Sequence, residues 1–307
     1  MTRREAIDRI AARLTGLYDE REARNLARWL VAECSGKTLS ELLTDPAREV
    51  GPETVRSIEE STERLAAGEP LQYIIGEADF YGHRFAVREG VLIPRPETEE
   101  LVDWILSEEP SARRLLDVGT GSGCIAASLA LALPDAELFA ADISPVALEV
   151  ASGNCRRLGA RVDIRRADAL AQAGQREDAQ GLEETQGLEE VFGCGFDLIV
   201  SNPPYVPESD RATMHPNVRD HEPAEALFVP DKDRIRFYRA IARAGQQMLV
   251  AEGRLYFEIY EHAADEVAGM LAEEGYAAIE VREDLFGRPR MVRCRKAASG
   301  SQPQPAK

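Results

Sequence analysis

Residues 201–205 read Ser-Asn-Pro-Pro-Tyr and directly follow the apolar run FDLIV. Proline has no N–H to donate and holds its φ, so Pro203 and Pro204 can neither continue a strand ladder nor sit inside a helix. They also bias Asn202 and Pro203 toward extended backbone. The result is a stiff step with free carbonyls, an amide at one end and a ring at the other. One reading is a plain strand terminator; the other is a preformed cradle for something small and planar. In the second, the side-chain oxygen of Asn202 and the carbonyl of Pro203 accept hydrogen bonds from an NH₂ group on a conjugated nitrogen. Tyr205 gives that planar group a flat surface or an edge. Such a nitrogen is a poor nucleophile because its lone pair is delocalised. Two fixed acceptors orient the lone pair and favour the pyramidal, more cationic nitrogen of a transition state. Alignment with an electrophilic methyl would add to this, since orientation is worth up to about 7–11 kcal/mol.

A second constellation lies upstream. LLDVGTGSGCIA places a strand, then Gly119, Thr120, Gly121, Ser122 and Gly123, then an apolar helix. Glycines let a ligand lie against the backbone, and the new helix offers free N–H groups. The spacing is G-x-G-x-G. A dinucleotide fingerprint would place its last glycine at 124, where Cys124 stands. Asp142 ends the next strand, where a carboxylate can accept hydrogen bonds from ribose hydroxyls; Asp168 and Ala169 end the third, where an adenine ring could be held. Each feature alone is explained by a tight turn or a surface acid. All of them fall at the carboxyl ends of strands, where open α/β sheets bind ligands.

The elements that position these residues follow from periodicity. Residues 1–70 space their apolar positions three and four apart, which predicts a small bundle of four or five helices. Thr38 or Ser40 is the expected cap of the third. Residues 71–95 mix β-branched and aromatic residues around Gly82 and Gly90 and are expected to form a hairpin linker. Residues 96–295 begin with a helix carrying Pro96 near its first position, then alternate strands and helices. That predicts an α/β domain with a parallel, doubly wound, Rossmann-like sheet, to whose edge a last strand, PRMVRCR, returns. Residues 172–194 hold QGLEE at 180–184 and again at 186–190; this acidic insert is expected to be a solvated loop. The tail 296–307 has the composition of a disordered terminus.

Composition narrows the function classes. A chain of 307 residues with 44% apolar and 30% charged residues is expected to be a globular, cytoplasmic protein without signal peptide or membrane anchor. Its net charge of −17 argues against a surface devoted to nucleic acid. Residues 1–30 depart from that trend, with seven arginines against five acids. The five cysteines are scattered without a C-x-x-C pair and the histidines without metal-ligand spacing, so neither a disulfide framework nor a metal site is expected.

GEPLQYIIGEADFYG, VLIPRPETEELVDW, LLDVGTGSGCIA, SNPPYVPESD and VRDHEPAEAL are each similar, in this order, to segments of the HemK/PrmC family of protein-(glutamine N5) methyltransferases. PRPETE is the most discriminating piece. The resemblance runs from about residue 64 to 294, apart from the insert, and the family also has a preceding helical bundle. It implies a class I S-adenosylmethionine-dependent methyltransferase fold and S-adenosylmethionine as methyl donor. It implies that Gly119 to Gly123 line the methionine portion, Asp142 the ribose, and Asp168 and Ala169 the adenine. Asn202 would stand between cofactor and substrate, with Pro203, Pro204 and Tyr205 completing the pocket. The implied acceptor is the glutamine of the Gly-Gly-Gln motif in peptide chain release factors, docked with help from the N-terminal bundle.

Three departures from the family pattern stand out. FEIYEHA carries Tyr260 and Ala263 where a glycine and often a glutamine are expected; LFVPDKDRIRFYR lacks a glycine-rich turn; and Ala169 is small where a ring-covering residue is common. The same NPPY corner would also suit an exocyclic amine, so methylation of adenine N6 or guanine N2 in nucleic acid is the alternative, although it calls for a basic groove. A non-catalytic binding module and a nicotinamide dehydrogenase are more distant readings.

Overall fold

Thr2 opens the first helix, Arg3–Leu14, through a capping box in which its side chain accepts from the Glu5 amide and the Glu5 carboxylate accepts from its own. Asp19 caps Glu20–Cys34, Thr38 caps Leu39–Thr44 with Glu41 in a second box, and Pro52–Ala66 starts on proline. Ile10, Leu14, Ala27, Leu30, Leu42 and Leu65 from these helices share one core. The computed structural model describes residues 1–171 and 186–298. They form two units, residues 1–77 with 214–221, and the described residues of 78–213 with 222–298.

The hairpin expected over 71–95 is narrower than the sequence suggests. Leu71–Ile75 is a helix that ends on Gly76 at φ 83°, and only Glu77–Phe80 and His83–Ala86 form strands. Ile74 and Ile75 favour strand locally, but they pack with Leu71 against the helical core, and that packing decides the outcome.

In the second unit the expected alternation builds a seven-stranded sheet. Its order is Tyr276–Glu283, Pro289–Lys296, Leu249–Glu258, Phe196–Ser201, Arg114–Val118, Glu137–Asp142, Val162–Arg166. The last strand in sequence is antiparallel to both of its neighbours, and the remaining pairs are parallel. That strand was expected at the edge and lies one place inside it. Met291, Val292 and Cys294 are buried, whereas most of Tyr276–Glu283 is exposed, so the more apolar strand takes the interior. Successive residues serve opposite faces: Leu116 and Ile199 pack with Tyr238 and Ile241 on one side, and Leu115 and Leu198 with Leu101 and Ile125 on the other.

The insert is also corrected at its C-terminal end. Leu188–Phe192 is a helix, with Leu188 and Phe192 buried in the core rather than solvated. A Cβ on Gly187 would fall 2.9 Å from the Ala171 carbonyl oxygen, so the second repeat lies too close to that backbone for any larger residue. The first repeat and the tail beyond 298 lie outside the described residues. Among the described residues no helix is long and apolar enough to cross a membrane.

Candidate active site

A cleft with an empty volume of about 1110 Å³, counting its open mouth, runs along the carboxyl ends of the central strands. Gly119, Thr120, Gly121 and Ser122 line it, as do Asp142, Asp168, Ala169, Asn202, Pro203 and Pro204. Gly123 and Tyr205 are not on its wall.

The glycine loop leaves the strand Arg114–Val118 and turns into the helix Cys124–Ala132. Gly119, Gly121 and Gly123 all have positive φ, at 74°, 56° and 80°, a region that side chains disfavour. A Cβ on Gly121 would meet no protein atom within 4 Å, whereas one on Gly123 would fall 3.0 Å from the Ala151 Cβ. The first glycine pair therefore leaves room for a ligand, and Gly123 instead lets two helices approach. Beneath the loop lies Asp117, which the sequence reading did not single out. Its Oδ2 accepts from the Thr120 hydroxyl at 2.6 Å and from the Ala126 amide at 3.2 Å, while its Oδ1 has no partner among the described residues. Burial pushes this carboxyl up to about 7 against those two hydrogen bonds.

Asp142 closes the loop from the next strand. Its Oδ2 accepts from the Gly121 amide and its Oδ1 from Ser144, each at 2.9 Å. Burial raises its pKa, opposed by these backbone donors. Each oxygen keeps a further lone pair for a hydroxyl donor in the cleft. Asp168 uses Oδ1 on the Leu170 amide at 2.8 Å, and Ala169 beside it packs against the core from the cleft wall.

The NPPY corner follows Phe196–Ser201. Ser201 donates to the Val118 carbonyl at 2.6 Å and ties this strand end to the glycine loop. Asn202 donates through Nδ2 to Thr98 Oγ1 at 3.3 Å. Among the described residues no donor reaches its Oδ1 or the Pro203 carbonyl. Tyr205 stands behind the wall: its hydroxyl donates to Glu258 at 3.1 Å, and its ring stacks on Tyr260 with centroids 6.2 Å apart. Thr98 and Glu258 were not singled out from the sequence. Both were within quoted motifs, Thr98 in PRPETE and Glu258 in FEIYEHA. Glu222, from VRDHEPAEAL, is a further buried acid; it accepts from the Ile93 amide at 3.1 Å and from Arg95 at 2.6 Å, which fixes the wall segment before the helix Pro96–Glu108.

Comparison with known proteins gives this arrangement a family. The PrmC N-terminal domain model matches residues 5–76, and the Methyltransferase small domain model matches 98–218. The release factor glutamine methyltransferase of Bacteroides thetaiotaomicron is 47% identical over 237 residues, 77% of this chain and 80% of that protein. Those of Flavobacterium psychrophilum and Cereibacter sphaeroides are 35% and 38% identical, covering 91% and 96% of this chain and 94% and 98% of theirs. The chain belongs to the release factor glutamine methyltransferase family.

The sheet order, with the last strand in sequence inserted antiparallel one place inside the edge, is that of class I S-adenosylmethionine-dependent methyltransferases. The departures from the family pattern acquire physical content here. Tyr260 adds a second ring behind Tyr205 and donates to Asp210 at 2.5 Å, while Ala263 is buried where the helix Ala264–Glu273 begins.

Proposed function

We propose that this protein transfers a methyl group from S-adenosylmethionine to the side-chain nitrogen of the glutamine in the Gly-Gly-Gln motif of a peptide chain release factor. The observation that carries this reading is the pair of free acceptors, Asn202 Oδ1 and the Pro203 carbonyl, on the wall of the cleft that the glycine loop also lines. Family membership supports it.

The residues present suit the donor. Open space over Gly121 and a positive φ at Gly119 and Gly121 leave room against the backbone, and the Asp142 carboxylate retains lone pairs beside it. Gly119 to Ser122 would hold the amino-acid portion, Asp142 the ribose, and Asp168 and Ala169 the base. When bound, the cofactor supplies an electrophilic methyl on a sulfonium centre. The chain's own part is to grip the carboxamide. Asn202 Oδ1 and the Pro203 carbonyl accept its two N–H groups, hold the nitrogen in place and favour its lone pair over its conjugation. Flanking glycines give the acceptor no side chains to exclude from a narrow corner. Arg95, on the cleft wall, is engaged by Glu222, and Arg290, behind Tyr205, by Asp284; among the described residues Arg95 is the one Lys or Arg lining the cleft. We place the reaction in the cytoplasm, with no membrane or nucleic-acid partner.

The test is incubation with labelled S-adenosylmethionine and either a release factor or DNA. Label on the glutamine of the Gly-Gly-Gln motif is expected; label on DNA alone would replace this reading with amino-group methylation of nucleic acid.

A further inference from the structure

Glu258 is a carboxylate buried to 1% exposure at the end of its strand, and Arg290, the cation whose charge acts on it, is held by Asp284 at 3.2 Å. No ion pair reaches Glu258 among the described residues. Its partners are two hydroxyls: Thr98 donates to Oε2 at 2.6 Å and Tyr205 to Oε1 at 3.1 Å. Burying an acid without an ion pair costs stability, which two hydroxyl donors offset only in part.

The hydrogen-bond polarity suggests what the acid does there. An ionised carboxylate only accepts, so the single proton of the Thr98 hydroxyl must point at Glu258. Oγ1 then has only lone pairs to offer its other neighbour, Asn202, 3.3 Å away. The amide must therefore turn Nδ2 toward Thr98, which leaves Oδ1 as the free end. The orientation follows from proton counting whenever Glu258 is ionised.

We propose that Thr98 and Glu258 are positioning residues for the methyl acceptor: Glu258 sets the direction of the Thr98 hydroxyl, and the hydroxyl holds the Asn202 amide with its oxygen free for an NH₂ group. The inference rests on the reading of Asn202 as the acceptor's binding residue. Its consequence is a polarity switch. A proton carried on Oε2 makes Glu258 a donor to Thr98; the hydroxyl is then free to donate to Asn202, whose amide turns Oδ1 toward it. Nδ2 would replace Oδ1 as the free end, donor against donor. Burial raises the pKa of Glu258, opposed by Thr98, Tyr205 and Arg290 and reinforced by Glu97. Tyr238 and Cys124, from neighbouring helices, also face its charge. Activity is thus present above that raised pKa and falls as pH drops through it.

The experiment uses the full-length protein, Thr98→Val and Thr98→Ser. Thr98→Val keeps the shape and removes the hydroxyl. It is expected to lower kcat/KM for a release factor on the order of 10–100-fold and to flatten the acid limb of the pH profile, with cofactor affinity within about three-fold by calorimetry. Thr98→Ser restores the wild-type profile. A second readout needs no acceptor: the ¹⁵N-labelled side-chain amide signals of Asn202, assigned by their loss in Asn202→Ala, should move with pH in the wild type and not in Thr98→Val. A fully active Thr98→Val, a Thr98→Ser as damaged as Thr98→Val, or wild-type amide signals indifferent to pH would each overturn the proposal. A wild type that methylates no Gly-Gly-Gln protein while its Asn202 signals track Glu258 would sink the functional reading and leave the relay supported.

Discussion

The Asp142 carboxylate accepts the amide hydrogen of Gly121 at 2.9 Å, across 21 residues of chain. The acid at the end of one strand therefore holds the glycine loop at the end of its neighbour, and the two halves of the candidate cofactor site are one mechanical unit. Asp142→Ala removes both a ligand group and the support of the loop. Cofactor affinity measured by calorimetry should fall on the order of 10–100-fold, in line with the loss of charge-assisted hydrogen bonds worth about 1.5–3 kcal/mol; unchanged affinity would exclude Asp142 from the site.

Asn202→Ala should separate binding from chemistry. The substitution removes the free Oδ1 and leaves the glycine loop and Asp142 untouched, so methyl transfer should drop by about 10²–10³-fold or more. Cofactor affinity should stay within a few-fold. Single-turnover transfer assays beside calorimetry check both, and full activity would contradict the assigned role.

Asp117 predicts a pH dependence of stability. Burial raises its folded pKa to about 7, well above the ordinary carboxylate value. The folded state therefore holds a proton that the unfolded chain releases. Its favourable contribution is complete below the ordinary carboxylate range and is lost as pH rises toward and through about 7. Asp117→Asn cannot ionise, so the difference in Tm between variant and wild type should shift in favour of the variant from pH 5 to pH 8. A difference that is flat with pH would refute the assignment.

The insert yields a paired prediction. Leu188 is buried in the main core, so Leu188→Ala should cost about 2–5 kcal/mol in denaturant unfolding. Deleting 175–190 removes that residue and should destabilise the domain, contrary to what its polar composition suggests. Deleting 175–184 spares Leu188–Phe192 and should keep cofactor binding. If both deletions behave alike, the helix contributes nothing.

What the sequence made legible was local. Prolines at 203 and 204 and glycines at 119, 121 and 123 restrict or free the backbone whatever surrounds them, and Asp142 follows from the period of one strand–helix unit. What escaped was non-local. Thr98 and Glu258 meet across 160 residues because a helix start and a strand end converge on one corner, and no spacing rule links them. Leu188 sat inside a repeat of glutamine, glycine and glutamate, and its burial was decided by the sheet it covers. The helix at 71–75 read as strand from its isoleucines, and only the neighbouring helical core reverses that preference. The place of Pro289–Lys296 depended on which of two hairpin strands was the more apolar, a comparison that requires knowing they pair.

That last strand has a temporal consequence. Glu258 lies opposite Met291 in the ladder, so its strand remains an open edge until residues 289–296 have been synthesised and threaded alongside it. The glycine loop and Asp142 can assemble from the first half of the domain, but the corner that would receive the acceptor is finished only after residues 289–296 have been made. A nascent chain released early would expose an unpaired apolar strand, which makes it a target for quality control and leaves it without an acceptor corner held at its full depth.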